Sequence, residues 1–258
     1  MAGFLFDKLV FGPVYSRRLG VSLGINLLPV DNKYCNFNCI YCECGWTENA
    51  GSQIQLPGRD ELKKQLEARL KEIRGTVNEP DAITFAGNGE PTIHPEFAAI
   101  IDDTIELRDK WAPAAAISIL SNASLLHKAK IREALKKTDK NIQKLDTGIE
   151  ETFQLLNQPV GNLTLEKIVD NLITFEGKLI LQTLFVRGNY NGKFIDNTTP
   201  TEIEAWLKIV EKVNPEYVML YPIDRGTPAK GLEKIPESEL KVIAEQVEAA
   251  GVRTEVYS

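Results

Sequence analysis

Short apolar runs alternate along this chain with longer stretches in which apolar positions recur every three or four residues. The runs predict buried strands at residues 23–30, 82–86, 116–120, 142–146, 179–186, 217–221 and 253–256. The periodic stretches predict helices at residues 60–74, 95–111, 127–137, 151–157, 164–175, 200–213 and 236–249, with Asp60 as an N-cap and Pro95 in a first turn. Such alternation indicates a parallel sheet with right-handed helical crossovers.

The number of strand-then-helix units limits the architecture. Six units precede the terminal strand, which fits a partial (β/α)6 TIM-like barrel, because a complete barrel has eight. An open doubly wound sheet has the same periodicity, so the pattern alone does not separate the two. We expect a single domain over residues 1–258, with 1–20 as an N-terminal extension and 236–258 as a C-terminal helix and strand.

Composition and charge exclude several classes of protein. Hydrophobic residues make up 43% of the chain and charged residues 26%, as in ordinary globular proteins. A net charge of -6 argues against a protein-wide electrostatic contact with nucleic acid, which needs a basic face. No apolar run approaches the length of a membrane span, so we expect no membrane partner.

The four cysteines lie together in residues 34–45, directly after the first predicted strand. Cys35, Cys39 and Cys42 have the spacing C-x3-C-x2-C, and three thiolates on a four-iron cluster leave one iron open to another ligand. Structural zinc needs four ligands, and Cys44 is the only further cysteine, so a zinc site is disfavoured. Thiols this close in sequence also make a poor disulfide framework, and reduced thiols place the protein in the cytoplasm.

The cysteine spacing, with Tyr41 directly before the third cysteine, resembles the signature of the radical S-adenosylmethionine superfamily. The resemblance implies a [4Fe-4S] cluster on Cys35, Cys39 and Cys42, with S-adenosylmethionine chelating the open iron. It further implies reductive cleavage of this cofactor to a 5'-deoxyadenosyl radical, oxidoreductase chemistry, and a flavodoxin-like or ferredoxin-like single-electron donor. It also favours the partial barrel over the doubly wound sheet.

Polar residues follow the predicted strands, and the resemblance gives several of them roles. Residues 87–91, Gly-Asn-Gly-Glu-Pro, are similar to the superfamily's GGEP motif, which holds the methionyl amino group, although Asn88 and Gly89 depart from it. The implied cofactor contacts are Gly87, Asn88, Gly89 and Glu90 for the amino group, Ser121, Asn122, Asp146 and Gln182 for the ribose and carboxylate, and Tyr41 and Tyr221 for the adenine. Each taken alone is as well explained by the capping of a strand or turn.

Residues 16–26, the cysteine loop and residues 144–153 together resemble iron-sulfur oxidoreductases related to the wyosine-type tRNA-modifying enzymes. Those enzymes carry a second cluster on additional N-terminal cysteines, whereas no cysteine precedes Cys35 in this sequence. An RNA base, a small metabolite and a peptide all stay open as substrates. A non-catalytic zinc- or cluster-binding interaction protein on a barrel scaffold is the alternative hypothesis.

Several residues near the expected site have open roles. Arg17 and Arg18 bind an anionic substrate or the cofactor carboxylate, or are simply solvated. Arg187 follows a buried strand and is expected at the mouth of the barrel. Cys44 is either a bystander or a hydrogen donor or substrate contact, and residues 43–59 form either a lid or a docking surface.

Overall fold

The computed structural model describes residues 3–47 and 54–258. The strands are β1 (Val10–Ser16), β2 (Gly20–Ile25), β3 (Ala82–Phe85), β4 (Ala116–Ser121), β5 (Lys140–Lys144), β6 (Ile180–Tyr190), β7 (Lys193–Asp196), β8 (Tyr217–Pro222), β9 (Leu232–Lys234) and β10 (Thr254–Val256). The helices are α1 (Arg59–Ile73), α2 (Phe97–Trp111), α3 (Ala129–Leu135), α4 (Glu150–Asn157), α5 (Leu165–Ile173), α6 (Pro200–Val213) and α7 (Glu237–Ala249), with a short 3-10 turn at Pro91–Ile93. No described helix is long and apolar enough to cross a membrane.

The strands pair in the order β1-β2-β3-β4-β5-β6-β8-β10. From β2 onward the neighbours in this path are parallel, whereas β1 is antiparallel to β2. Strand order follows chain order without the reversal that defines a doubly wound sheet. The predicted partial (β/α)6 TIM-like barrel is therefore confirmed, and its open seam lies between the β1–β2 edge and β10.

The core lies between the sheet and its helices. Helix α1 buries Leu62, Leu66, Leu70 and Ile73, which recur at intervals of three or four residues and so share one face. All four residues of β3 are buried, as expected for a parallel strand covered on both faces. Each large apolar side chain buried in this way contributes about 1.5–3 kcal/mol of transfer free energy.

Two local chain reversals shift the predicted boundaries. Strand β2 ends at Ile25, five residues before the predicted end, because the Asn26 side chain hydrogen-bonds both the N–H and the C=O of Leu28 and turns the chain. Helix α2 begins at Phe97 with Glu96 as its N-cap, after the 3-10 turn that Glu90 caps, so the expected place of Pro95 in the first turn of the helix is wrong. The Asp60 N-cap was also wrong, since Gly58 occupies that position and Asp60 lies in the first turn.

Strands β1, β7 and β9 were not predicted. Strand β1 lies in the expected N-terminal extension, and its register with β2 shifts between Phe11 and Val14, around Pro13. Glycine and proline there interrupt the two-residue alternation that would have indicated a strand. Strands β7 and β9 are short and pair antiparallel with the far end of β6, beyond the barrel.

Candidate functional site

The cysteine loop, residues 34–45, begins by pairing with the loop that follows β3. The Tyr34 N–H donates to the Asn88 carbonyl at 2.8 Å, and the Glu90 N–H donates to the Tyr34 carbonyl at 3.3 Å. Gly89 lies between these bonds with φ +145°, and a Cβ there would stand 1.9 Å from the Tyr34 oxygen. Only glycine fits this close approach, so the two loops form one backbone unit.

The middle of the cysteine loop is held by the carboxyl end of α4. The Asn38 N–H donates to the Asn157 carbonyl at 3.1 Å, and the Ile40 N–H donates to the Leu156 carbonyl at 3.0 Å. The Phe37 ring packs edge-on against Phe153. The loop is thus fixed on both sides before any ligand binds.

The four cysteines line a cavity of about 200 Å³, here called the thiol cavity. Its other walls come from the cysteine loop and the residue before it, from the carboxyl ends of β3, β4 and β5, and from the body of β6: Lys33, Phe37, Tyr41, Ala86, Gly87, Gly89, Glu90, Leu120, Ser121, Asn122, Lys144 and Gln182. In residues 3–47 and 54–258, no group of three or more His, Cys, Asp or Glu side chains converges on a point that suits a single metal ion. A four-iron cluster is wider than one ion and takes its thiolates from around its sides, so this donor set fits a cluster better than zinc.

Polar groups surround the sulfur atoms of the cavity. The Asn122 amide lies 3.7 Å from the Cys35 sulfur, and the Asn157 amide lies 3.6 Å from the Cys39 sulfur. The buried Lys33 ammonium donates to the Gly45 carbonyl at 2.9 Å. Such donors are typical of iron-sulfur sites, where hydrogen bonds to sulfur tune the cluster.

The thiols of the cavity do not titrate alike. Burial raises the pKa of Cys35 to about 12, and burial also raises the pKa of Cys39. A hydrogen bond from Cys44 lowers the pKa of Cys42 to about 5. Three buried thiolates together need positive charge beside them, which a metal cluster would supply.

Asp146 lies behind the thiol cavity, and its carboxylate is fully engaged. It accepts from the Tyr41 hydroxyl, from the Asn157 amide at 2.7 Å, from Lys144 at 3.3 Å and from the Leu184 N–H at 3.0 Å. Burial lowers the pKa of Lys144, but Asp146 and its other neighbours raise it by more, so this ammonium stays charged. Asp146 does not line the cavity, and it positions Tyr41 and Lys144 there.

Asn88 and Glu90, two residues of the GGEP-like segment, have their side-chain polar groups in use. The Asn88 amide donates to the carbonyls of Phe6 and Pro29 at 2.9 and 2.7 Å, and its oxygen accepts from the Phe6 N–H. Asn88 therefore holds the N-terminal segment and points away from the cavity, which explains how this position departs from the motif. The Glu90 carboxylate accepts from Thr92 and from the Asn122 N–H at 2.6 Å, so it joins the ends of β3 and β4.

A second cavity of about 470 Å³, the seam cavity, shares Tyr41, Cys42, Leu120 and Gln182 with the thiol cavity. Its outer walls are residues 15–18 of the β1–β2 hairpin, residues 221–225 after β8, and Tyr257. Arg17 closes part of the seam by pairing with Asp224 at 2.9 Å and bonding the Ser258 carbonyl.

Most of the expected cofactor contacts meet at these two cavities. Tyr41, Gly87, Gly89, Glu90, Ser121, Asn122 and Gln182 line the thiol cavity, and Tyr221 lines the seam cavity. Arg187 does not reach the mouth, because it pairs with Glu239 and Asp196. Residues 43–59, expected as either a lid or a docking surface, include residues 48–53, which lie outside the described part of the chain.

Sequence reasoning missed Lys33, Lys144 and Asn157 as site residues. Lys33 lies two residues before Cys35, and Lys144 ends β5, so both had a positional signal. Asn157 contacts Cys39 across 118 residues of sequence, and no local pattern marks it.

Comparison with known proteins identifies the family. Residues 31–178 match the model of the Radical SAM superfamily, more than half of the chain. The chain is 32% identical to a protein called GTPase Obg from Brachyspira hyodysenteriae over 95% of its own length, but it spans only 34% of that protein. It is 30% identical to a UPF0026 protein from Helicobacter pylori strain J99, covering 90% of this chain and 71% of that one.

Among solved structures, TYW1 with a lysine-pyruvate adduct bound is similar, with a TM-score of 0.62. The match covers 88% of this chain and 73% of that chain at 15% identity, so it shows a common fold. The superfamily predicted from the cysteine loop is confirmed by the family model. The fold shared with TYW1 agrees with the resemblance to wyosine-type enzymes that residues 16–26, the cysteine loop and residues 144–153 indicated. The chain therefore belongs to the Radical SAM superfamily, as an enzyme whose cofactors are a [4Fe-4S] cluster and S-adenosylmethionine.

Proposed function

We propose that this enzyme reductively cleaves S-adenosylmethionine and abstracts a hydrogen atom from a substrate held in the seam cavity. When bound, the cluster and cofactor supply an electron and a 5'-deoxyadenosyl radical, while the protein supplies binding, orientation and shielding. The observation that carries the proposal is the continuity of the two cavities through Tyr41, Cys42 and Gln182. That continuity leaves room for a cofactor against the thiols and a substrate beside it.

The proposed ligands follow from the lining of the thiol cavity. Cys35, Cys39 and Cys42 hold the cluster, and the backbone at Gly87 and Gly89 binds the methionyl amino group. The Ser121 hydroxyl accepts from the Ala123 N–H and lies beside the Glu90 carboxylate, on the wall where we place the ribose or carboxylate of the cofactor. Gln182 and Asn122 face the same space.

The adenine is proposed to lie near Tyr41 and Tyr221. The Tyr41 ring lines both cavities and the Tyr221 ring lines the seam cavity. Each ring carries a cation over its face: Lys144 at 4.8 Å from the Tyr41 centroid and Arg18 at 4.7 Å from the Tyr221 centroid. Asp146 fixes the Tyr41 hydroxyl, so the ring keeps one orientation. A positioned ring reduces the entropy lost when a cofactor docks.

The wider setting follows from the chemistry. A flavodoxin-like or ferredoxin-like protein would deliver single electrons, and the cytoplasm would keep the free thiols reduced. An RNA base, a small metabolite and a peptide are the candidate substrates, and the net charge of -6 disfavours RNA.

Anaerobic reconstitution tests the proposal. We expect about four irons per chain, and we expect 5'-deoxyadenosine when dithionite and S-adenosylmethionine are added. Tight binding of zinc without cofactor cleavage would contradict the proposal and favour the non-catalytic alternative.

Cysteine variants test the ligand assignment. Cys39→Ala should lose the cluster absorbance and most of the iron, because three thiolates are the minimum set for the open-iron arrangement. Cys44→Ala should retain both, since Cys44 is not a proposed ligand. A four-cysteine zinc site predicts the opposite for Cys44→Ala, namely loss of metal.

A further inference from the structure

Arg18 is the least compensated cation of the seam cavity. Its guanidinium is half-buried, and in the part of the chain that the structure describes no carboxylate lies within ion-pair distance of it. Its partners are neutral: the Gln182 side-chain oxygen at 3.2 Å and the face of the Tyr221 ring. A half-buried charge without a counterion is unfavourable, so a ligand that supplies one would be favoured.

The neighbouring cations differ from Arg18 in this respect. Arg17 pairs with Asp224 at 2.9 Å, and Arg225 pairs with Glu43 at 3.0 Å. The seam cavity is thus lined by three guanidinium groups against two carboxylates, and the uncompensated charge belongs to Arg18.

The orientation of Arg18 leaves most of its hydrogen-bond donors available. A guanidinium has five N–H donors, and among the described residues one donor of the Arg18 side chain is used, toward Gln182. Gln182 also accepts from the Tyr221 hydroxyl at 3.5 Å, so the same two residues that contact Arg18 also contact each other. A guanidinium held this way presents a planar fork that fits two oxygens of a carboxylate or phosphate.

We propose that Arg18 binds a carboxylate or phosphate group of the substrate, and that the enzyme's substrate is therefore anionic. This proposal rests on the proposed function, because it takes the seam cavity as the substrate site. The cofactor carboxylate is a less suitable partner, since Arg18 lines the seam cavity alone, whereas Lys33 and Lys144 are the cations that line the thiol cavity. With its anionic end at Arg18, the rest of the substrate lies toward Cys42 and Tyr41, where the two cavities join.

Calorimetry on the reconstituted protein, with S-adenosylmethionine present and no reductant, tests the proposal. Inorganic pyrophosphate and succinate serve as probes for the phosphate and carboxylate classes. Arg18→Gln should weaken the better probe about tenfold or more, because a hydrogen-bonded charge contact is lost. Arg18→Lys should fall between the wild type and Arg18→Gln, since the charge stays and the fork is lost.

Arg17→Gln is the matched control. It removes the same charge from the neighbouring residue, whose guanidinium already has Asp224 as its partner. We therefore expect a smaller loss of probe affinity. Equal losses of probe affinity in the two Gln variants would mean that the probes are attracted by the overall positive potential of the cavity and not by Arg18. That result would overturn the proposal. Failure of the wild type to bind either probe would also overturn it.

Two further readouts separate the sources of an effect. An S-adenosylmethionine affinity that falls in Arg18→Gln as much as the probe affinity would assign Arg18 to the cofactor carboxylate and overturn the proposal. Production of 5'-deoxyadenosine by the wild type is measured separately. Its absence alongside Arg18-dependent probe binding would contradict the proposed function while leaving anion binding by Arg18 in place.

Discussion

At the scale of single residues, Gly89 sets the position of the cysteine loop. Gly89→Ala should lower the free energy of unfolding by about 2–4 kcal/mol, because it combines a positive φ with a clash against the Tyr34 backbone. Gly226→Ala is the control, since Gly226 has no positive φ and nothing lies within 4 Å of an added Cβ, so we expect a change within about 0.5 kcal/mol. Urea unfolding of both variants measures the difference, and equal stabilities would contradict the close-approach argument.

Asn157 is a second residue whose effect can be measured. Asn157→Leu removes the amide that contacts the Cys39 sulfur, the Tyr41 hydroxyl and Asp146. Loss of one hydrogen bond to sulfur should destabilise the reduced cluster by about 1 kcal/mol. In a one-electron couple this free energy corresponds to a reduction potential lower by about 40 mV. A redox titration followed by electron paramagnetic resonance gives the potential.

The control for Asn157 is Asn141→Leu, which also removes a buried amide. Asn141 lies near the start of β5, and its amide donates to the Lys178 carbonyl. This variant should lose stability without a change in potential. A potential that shifts equally in both variants would indicate a global effect and would contradict the role of Asn157.

Local spacing in the sequence marked residues that the fold then brings to the thiol cavity, and it did not mark those that only the fold brings near. The spacing of three cysteines indicated the cluster, and the GGEP-like segment indicated the loop after β3. The burial of Asp146 behind Tyr41 and the tether from Asn88 to Phe6 depend on residues tens of positions away, so their roles were not visible in the sequence.

At the scale of elements, Asp103 joins α1 to α2. Its carboxylate accepts from Arg59 at 2.6 and 3.0 Å and from Lys63 at 2.9 Å, and the hydrogen bond from Arg59 is the main cause of its lowered pKa. A lowered carboxyl pKa stabilises the folded protein above the ordinary Asp pKa, and this contribution is lost as the pH falls through the folded-state pKa. Asp103→Asn should therefore cost about 1 kcal/mol near neutral pH, and the difference from wild type should shrink in acid.

Urea unfolding across a pH series measures that difference. A constant gap between wild type and Asp103→Asn from neutral pH into acid would contradict the assignment to charge.

Elements with strong periodicity were predicted well, and their ends were not. Helix α1 was expected at residues 60–74 and spans Arg59–Ile73, because its apolar face recurs regularly. The end of β2 depends on how the Asn26 side chain bonds to Leu28, and periodicity does not report such a turn. Periodicity also failed to predict β1, because Gly12 and Pro13 interrupt the alternation of apolar and polar residues there.

At the scale of the whole molecule, the barrel should be least protected at its seam. Strand β10 has three residues and, within residues 3–47 and 54–258, pairs with β8 alone, whereas β4 is paired on both sides. We expect amides of β10 to exchange with deuterium about tenfold faster than those of β4, because an edge strand opens locally. Exchange followed by mass spectrometry measures both strands, and equal protection would indicate that the seam is closed in solution.

The irregular pairing of β1 has a consequence for how copies of this protein meet one another. An open sheet offers its outer strand as a template on which a neighbouring chain can add a further strand. Pro13 has no N–H to offer, and the register shift between Phe11 and Val14 bends the edge, although Val14 and Tyr15 are exposed there. The open side of the barrel is therefore protected at β1 against sheet-to-sheet aggregation.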